Sequence, residues 1–515
     1  MFKKKLLKNK KKSSLNSQID SHFSEGQINI DLNENLHILK DELVNTDDLI
    51  IRKFAISTQM PIEVAAIYIE GLADDKLVNK FISHSLIIEL NESTECFEIE
   101  NDCTLDIKNI FYLTKEMAST AGKTKVVSHW GDVISAILDG NTIVLFNGYN
   151  DALNISTVAG DYRAISEPTT QTVVRGSKEG FIESISSNTV MVRRRIKNGK
   201  LRVEKMKMGD ISNTDVAIMY IDGIVKKRTI DEVKQRLAGI DTNAILESNH
   251  IEELLKEKTL TPFPTVLSTE RPDLLSRSLL AGKVAIFVEG TPFALLVPSV
   301  FSEFFKTSED YTLFYGISSL IRILRYIAFH FSIFSSPIYI ALITYHQEII
   351  PTDFLISLIA QREGVPYPAM VEAMLLEFTF EILREAGIRI PRAIGPTISI
   401  AGALVIGEAA VSAGLVSPTM TIVVALTAIS NFAIPSYSLA SAARILRFIF
   451  MIVAAFSGLY GLALGYLIMI AHLCSMSSFG IQYLSPFAPF YLTRHKDAIL
   501  RFPFSLLDQD NKKNG

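Results

Sequence analysis

Residues Arg362 to Pro418 read REGVPYPAMVEAMLLEFTFEILREAGIRIPRAIGPTISIAGALVIGEAAVSAGLVSP, and they predict two unlike helices in succession. The first, Met370 to Arg384, is apolar enough to enter a membrane, yet it and its continuation carry Glu372, Glu377, Glu381 and Glu385. The last three, at spacing four, share one helical face. Such a face needs water, cations or a polar partner. The second helix, Ile394 to Gly414, is long enough to cross a hydrocarbon core of ~30 Å at ~1.5 Å per residue, and it holds one charge, Glu408. A carboxylate at that depth costs about 2.5–3.5 kcal/mol or more unless it faces a bundle interior, a cavity or a pore. It marks a functional position, or else a tightly packed helix in which a neighbour satisfies it.

Gly402, Ala403, Gly407, Ala409, Ala410, Ser412, Ala413 and Gly414 make the second helix thin. Ser399, Ala403 and Gly407 recur every four residues, as do Ala410 and Gly414, an interval that lets backbones approach closely in lipid. The pattern places this helix at the centre of an assembly. At its end, Gly414-Leu-Val-Ser417-Pro418 combines a C-cap glycine, an N-cap serine and a proline at the first helical position, which predicts a tight helical hairpin.

Working outward, apolar runs of spanning length lie at Tyr326 to Tyr345, Ile394 to Gly414, Met420 to Pro435 and Phe448 to His472. Arg322 and Arg325 precede the first on the cytoplasmic side, and Pro337 within it suggests a kink. If the acidic helix crosses, Arg389, Arg392, Arg444 and Arg447 fall inside, as the positive-inside tendency asks. Ser477 to Leu492 could add a further dip, so five and six passes both remain open.

The first half of the chain is a duplication. Val64-Ala-Ala-Ile-Tyr-Ile-Glu-Gly71 returns as Val216-Ala-Ile-Met-Tyr-Ile-Asp-Gly223. Each copy leads into a helical segment, Asp74 to Phe81 and Thr229 to Leu237. Gly140, Thr142-Ile-Val-Leu-Phe-Asn-Gly148 and Ala152-Leu return as Gly282, Val284-Ala-Ile-Phe-Val-Glu-Gly290 and Ala294-Leu. Two tandem α/β subdomains follow, each ending in a β-hairpin. The duplication therefore excludes Lys283 to Phe301 as a spanning helix, despite its hydropathy. Between the copies, Arg193, Arg194, Arg195, Lys197 and Lys200 fall on an expected hairpin turning at Asn198-Gly199, giving a basic surface toward lipid headgroups or an acidic partner, or a solvated one.

With 515 residues, 48% hydrophobic content and a net charge of −4, the chain is too long for one domain and too apolar to be purely soluble, and bulk nucleic-acid binding is disfavoured. The expected divisions are 1–32 basic tail, 33–160 and 214–305 α/β subdomains, 161–213 connecting basic hairpin region, 306–493 polytopic α-helical membrane domain, and 494–515 polar tail. The lysine-rich start lacks the apolar core of a signal peptide, which leaves the first half cytoplasmic. Cys96, Cys103 and Cys474 supply neither a CxxC pair nor a nearby histidine, so neither a structural disulfide nor a metal is expected. Gly122-Lys123-Thr124 lacks the earlier glycine of a phosphate loop, because Met117 stands there. His84, His129, His250 and Trp130 stand singly. No cofactor and no catalytic set is expected.

Arg175-Gly-Ser-Lys-Glu-Gly-Phe-Ile-Glu183, Glu270-Arg-Pro-Asp273, Val288-Glu-Gly-Thr-Pro-Phe293, Arg362-Glu-Gly-Val-Pro366, Glu381-Ile-Leu-Arg-Glu-Ala-Gly387 and Ala403-Leu-Val-Ile-Gly-Glu-Ala-Ala410 occur in this order. The series resembles the A subunit of the GerA-type nutrient germinant receptors of endospore-forming bacteria, closely over about 170 to 490. The resemblance implies a subunit of a spore inner-membrane receptor, with a transporter-like B subunit and a lipoprotein C subunit as partners. It also implies self-association into a nutrient-gated cation channel. On the residues, a channel-forming subunit leads. A secondary transporter would need an internal repeat in the membrane half, which is not found. A non-conducting scaffold would pair the buried acids with arginines on partner subunits.

Overall fold

The repeated motif forms the strand at the heart of each of two sheets. A computed structural model of the chain describes residues 26–56, 61–80, 82, 107–121, 123–159, 167–168, 170–257, 260–389, 404–490 and 497–503. The chain divides into two units, an α/β unit (1–172, 178–255 and 268–296) and a helical unit (173–177, 256–267 and 297–515).

The first subdomain contains α1 (Leu32–Glu42), β1 (Leu49–Ile56), β2 (Ile62–Ile69), α2 (Asp75–Lys80), α3 (Ile107–Ala121), β3 (Thr124–Val127), α4 (Trp130–Leu138), β4 (Thr142–Phe146) and β5 (Ala152–Ile155). Its sheet order is β1-β2-β4-β5-β3. Because strand side chains alternate between faces, Ala65, Ile67 and Ile69 of β2 pack with Leu32, Leu36 and Leu39 of α1 and Val133 and Ile137 of α4. Val64, Ala66 and Tyr68 pack on the opposite face with Val78, Ile110 and Phe111. Burial on both faces explains why this antiparallel strand reads as a continuous apolar run. Trp130 is a packing residue of the first cluster.

The second subdomain contains α5 (Ile185–Arg195), β6 (Leu201–Met208), β7 (Thr214–Ile221), α6 (Lys227–Ala238), α7 (Ser248–Leu255), β8 (Leu267–Thr269), α8 (Pro272–Leu280), β9 (Val284–Val288) and β10 (Ala294–Val297). Its order, β6-β7-β9-β10-β8, repeats the first sheet. The register repeats too: Val64 faces Phe146 as Val216 faces Val288. Gly71 and Gly223, Gly140 and Gly282, and Gly148 and Gly290 all have φ between +76° and +91°. The matched glycines therefore mark turns that a Cβ would strain. Lys283 to Phe301 contributes β9 and β10, as the duplication required.

One expectation is corrected. The 161–213 stretch is not a connecting hairpin, because Arg193, Arg194 and Arg195 end α5 and Asn198-Gly199 turns from that helix into β6. The second repeat thus starts before α5. Its onset copies that of the first: Asn35 receives Asn29 N (2.9 Å) and donates to Asn29 O (2.6 Å), and Asn188 does the same with Ile182 (2.8 and 2.6 Å). The two subdomains are joined by a buried Arg193 that pairs with Asp48 and donates to Thr46 Oγ1 at 3.0 Å.

On β6, Glu204 accepts from Tyr220 (2.5 Å) and pairs with Lys234 (2.6 Å) and Arg202 (3.0 Å). Burial pushes its pKa up, but the Lys234 and Tyr220 hydrogen bonds and the two cations more than offset this and leave it below the usual 4.5. Its contribution to stability is therefore complete above about pH 4.5 and is lost as pH falls through the lowered folded value. Denaturant midpoints from pH 6 to pH 3 should show a steeper acid decline for the native chain than for Glu204→Gln. Equal slopes would refute this.

In the helical unit, 3-10 turns (Phe301–Phe305 and Ser308–Tyr311) lead into α9 (Tyr315–Tyr345), then α10 (Thr352–Arg362), α11 (Ala369–Arg389), a π-helical turn (Leu404–Ala409) running into Ala410–Ser412, α12 (Pro418–Phe432) and α13 (Tyr437–Ser475). Gly414 has φ +67°, and Ser417 Oγ caps α12 by accepting from Met420 N with Pro418 at its start, as the sequence predicts. Among the described residues, α9 and α13 are long and apolar enough to cross a membrane.

α13 is folded back on itself, which corrects the single span expected at Phe448 to His472. Gly458 interrupts it with φ 60° and ψ −148°, a conformation essentially restricted to glycine. Phe334 of α9 touches both Phe450 and Tyr466, at 4.7 and 5.5 Å between ring centroids. In a straight helix those residues would lie ~24 Å apart. A Cβ on Gly465 would sit 2.6 Å from Phe450, and one on Gly461 would sit 2.9 Å from Val453. The arms, 437–457 and 459–475, therefore pack antiparallel. Tyr345 Oη donates to Ala455 O (2.9 Å) and Phe456 O (3.3 Å), carbonyls that the break exposes. The chain returns through the second arm, and beyond it Tyr483 O accepts from Phe301 N at 2.8 Å beside the first 3-10 turn.

Candidate functional site

The described helices of this unit turn their polarity inward. Ile317, Leu320, Leu324, Ile327 and Phe331 of α9 are exposed at helical spacing, and so are Ile422, Leu426 and Ile429 of α12. Meanwhile Arg322, Arg447, Asp310, Glu372 and Glu377 are each at most 1% exposed. Water would favour the reverse arrangement.

The central cluster joins α9, α11, α12 and α13. Glu377 receives Ser336 Oγ at 2.9 Å and lies 3.2 Å from Arg447 Nη2. The same nitrogen lies 3.2 Å from Glu381, which also pairs with Arg444 at 3.2 Å and with Arg384. Thr427 of α12 closes the cluster against Ser335 and Ser336. Since α11 residues advance as α13 residues recede, α11 is antiparallel to the first arm of α13. That arm runs with α9, because Phe334 meets Phe450 and Tyr345 meets Ala455.

One end of α11 is held separately. Glu372 Oε1 accepts from Ser417 N (2.6 Å) and Oγ (2.5 Å), and Arg362 lies 3.5 Å away. A carboxylate at the start of α12 suits the positive end of that helix. At the start of α9, Asp310 pairs with Arg322 (3.1 Å) and Arg325 (2.8 Å). Asp497 pairs there with Arg322 (3.0 Å) and Lys306 (3.1 Å) and accepts from Tyr311 Oη (2.8 Å). Burial would raise the Asp497 pKa, but Lys306 and Arg322 hold it below the usual carboxylate value.

The family description "Bacillus/Clostridium GerA spore germination protein" matches residues 37–513. The chain belongs to this family. Spore germination protein KA of Bacillus subtilis (strain 168) is 47% identical over 473 residues, covering 92% of this chain and 85% of that protein. The uncharacterized membrane protein YfkQ of the same strain is 39% identical over 477 residues, covering 93% and 90%. A crystal structure of the N-terminal domain of the A subunit of the Bacillus megaterium spore germinant receptor GerK3 is 35% identical. It covers 54% of this chain and 98% of that one, with a TM-score of 0.42.

Within this GerA-family chain, the acidic face expected on α11 meets arginines of its own chain. Glu385 alone stays exposed, 2.8 Å from Arg389. Gly407 and Glu408 are exposed in the π-helical turn, and a Cβ on Gly407 would meet nothing within 4 Å among the described residues. Ala410 and Gly414 are half-buried. Ser399, Ala403, Cys96, Cys103, His84, Gly122, Arg392 and the basic start lie outside the described residues. The expected basic surface is corrected at Arg193, which is buried. Of its neighbours, Arg195 pairs with Glu179 and Lys197 with Asp139, so local acids already compensate much of that charge.

Sequence reading missed Arg444 and Arg447 as partners of α11, and Asp310 and Asp497 as partners of Arg322 and Arg325. The available signal was arginines three apart beside apolar runs, which invite acids elsewhere in the chain.

Proposed function

We propose that this GerA-family chain is the membrane-embedded A subunit of a spore nutrient-germinant receptor, and that copies of it associate around Ile394 to Gly414 to form a nutrient-gated cation channel. The receptor would sit in the spore inner membrane with the α/β unit cytoplasmic, beside a transporter-like B subunit and a lipoprotein C subunit. Membrane embedding is supported by the inward ion pairs and outward apolar faces, which suit lipid and not water. The described directions, with α9 and the first arm of α13 running one way and α11 and the second arm of α13 the other, are compatible with six passes in which Ile394 to Gly414 supplies one crossing. The observation that carries self-association is Gly407, where a Cβ would meet none of the described residues within 4 Å, while Glu408 stands exposed beside it. Close-packing glycines and a lone carboxylate suit a ring of helices lining a cation path, and π-helical turns recur at functional positions.

The pairing of Glu377 and Glu381 with arginines favours a supporting, non-conducting role for α11, so cation attraction rests on Glu408. Spores carrying Glu408→Gln or Gly407→Leu, at matched receptor abundance, should release cations upon nutrient addition at least several-fold more slowly or with altered selectivity. Unchanged release in both would remove this helix from the conduction path and leave a scaffold role.

A further inference from the structure

Glu377, Glu381 and Glu385 stand one helical turn apart on α11, while the first arm of α13 offers Arg447 and Arg444. We propose that α11 has two registers against α13 and moves between them by one turn, a regulatory step that rests on the channel reading. In the observed register Arg447 Nη2 is shared between Glu377 and Glu381, at 3.2 Å from each. In the second, α11 is displaced by ~5.4 Å toward its own N-terminal end. Glu381 then takes the place of Glu377 against Arg447 and Ser336, and Glu385 takes that of Glu381 against Arg444.

Three observations carry this. The incoming residue is free to move, because Glu385 is held through an exposed pair with Arg389, a contact worth little. The observed register is incompletely satisfied: Glu377 Oε2 and Arg447 Nε and Nη1 are buried with no hydrogen-bond partner among the described residues. A group able to receive Glu377 also lies in its path, since Tyr339 Oη, one turn beyond Ser336 on α9, is buried beside Ser417 without a well-formed hydrogen bond among the described residues. What holds the observed register is Glu372, whose two contacts to Ser417 tie the start of α11 to α12. One-turn ratchets between packed elements are an established form of two-state transition.

The test uses the full chain in membranes, with the native cysteines replaced by serine and cysteine pairs introduced under mild oxidation. Glu381→Cys with Arg444→Cys reports the observed register, and Glu385→Cys with Arg444→Cys reports the shifted one. Adding Glu372→Gln should raise the cross-linking rate of the second pair at least several-fold and lower that of the first. If the 385/444 pair fails to cross-link with and without Glu372→Gln while the 381/444 pair still does, the second register does not exist. If neither responds to Glu372→Gln, the proposed lock is wrong and the step is overturned. Cross-linking needs no ion flux, so failure of the channel reading would leave this result intact.

Discussion

Arg447→Met will destabilise the folded chain by about 3–5 kcal/mol, because it leaves Glu377 buried without its cation. Glu377 is fully buried, and besides Arg447 its one hydrogen-bond partner among the described residues is the Ser336 hydroxyl at 2.9 Å. Glu381 would suffer less, since Arg444 and Arg384 remain beside it. The asymmetry gives a sharp check. Pairing Arg447→Met with Glu377→Leu removes both charges at once, and an apolar pair of similar volume often matches or exceeds a buried ion pair. Unfolding of the purified chain in detergent should therefore show a large loss for the single variant and recovery of most of it in the double variant. Equal losses in the two would mean that the pair is not what holds α11 to α13.

Asp310→Ala is expected to be comparably damaging, at about 3–5 kcal/mol, for the complementary reason that it removes a carboxylate shared by two guanidinium groups and strands that of Arg325. Asp310 accepts from Arg322 Nε and Nη2 at 3.2 and 3.1 Å and from Arg325 Nη1 at 2.8 Å. Arg322 keeps Asp497, whereas among the described residues Arg325 keeps only Phe305 O and Thr307 Oγ1, each at 3.0 Å. The loss should appear as reduced accumulation of folded chain and as early hydrogen exchange at the start of α9. Asp497→Ala should cost less, because Asp310 still faces Arg322. If Asp497→Ala proved the worse of the two, the hub would be centred on the C-terminal segment instead.

The tandem architecture was readable because two copies of one motif occur in a single chain. Val64 to Gly71 and Val216 to Gly223 identify the central strands, and the paired glycines identify the turns. The same comparison rejected Lys283 to Phe301 as a membrane helix, where apolar content alone misleads because a strand buried on both faces is as hydrophobic as a span. The boundary of the second repeat was misplaced for a local reason. α5 has an irregular apolar pattern because it buries polar residues, Asn188 and Arg193 among them, so a helix was read as one arm of a hairpin.

By itself, then, the sequence determined the family, the duplicated α/β half, the polar helix interposed among apolar ones and the capped turn at Gly414 to Pro418. These are all local patterns of spacing, propensity and turn chemistry, and they do not depend on what packs against them. Only the tertiary structure decided that Gly458 folds α13 into two arms, because a glycine in an apolar helix is compatible with a straight helix or a reversal, and packing against α9 selects between them. It also decided the partners of Glu372, Glu377 and Glu381. A buried charge announces that it needs a counter-charge, but which one it meets is set by contacts between residues far apart in the chain.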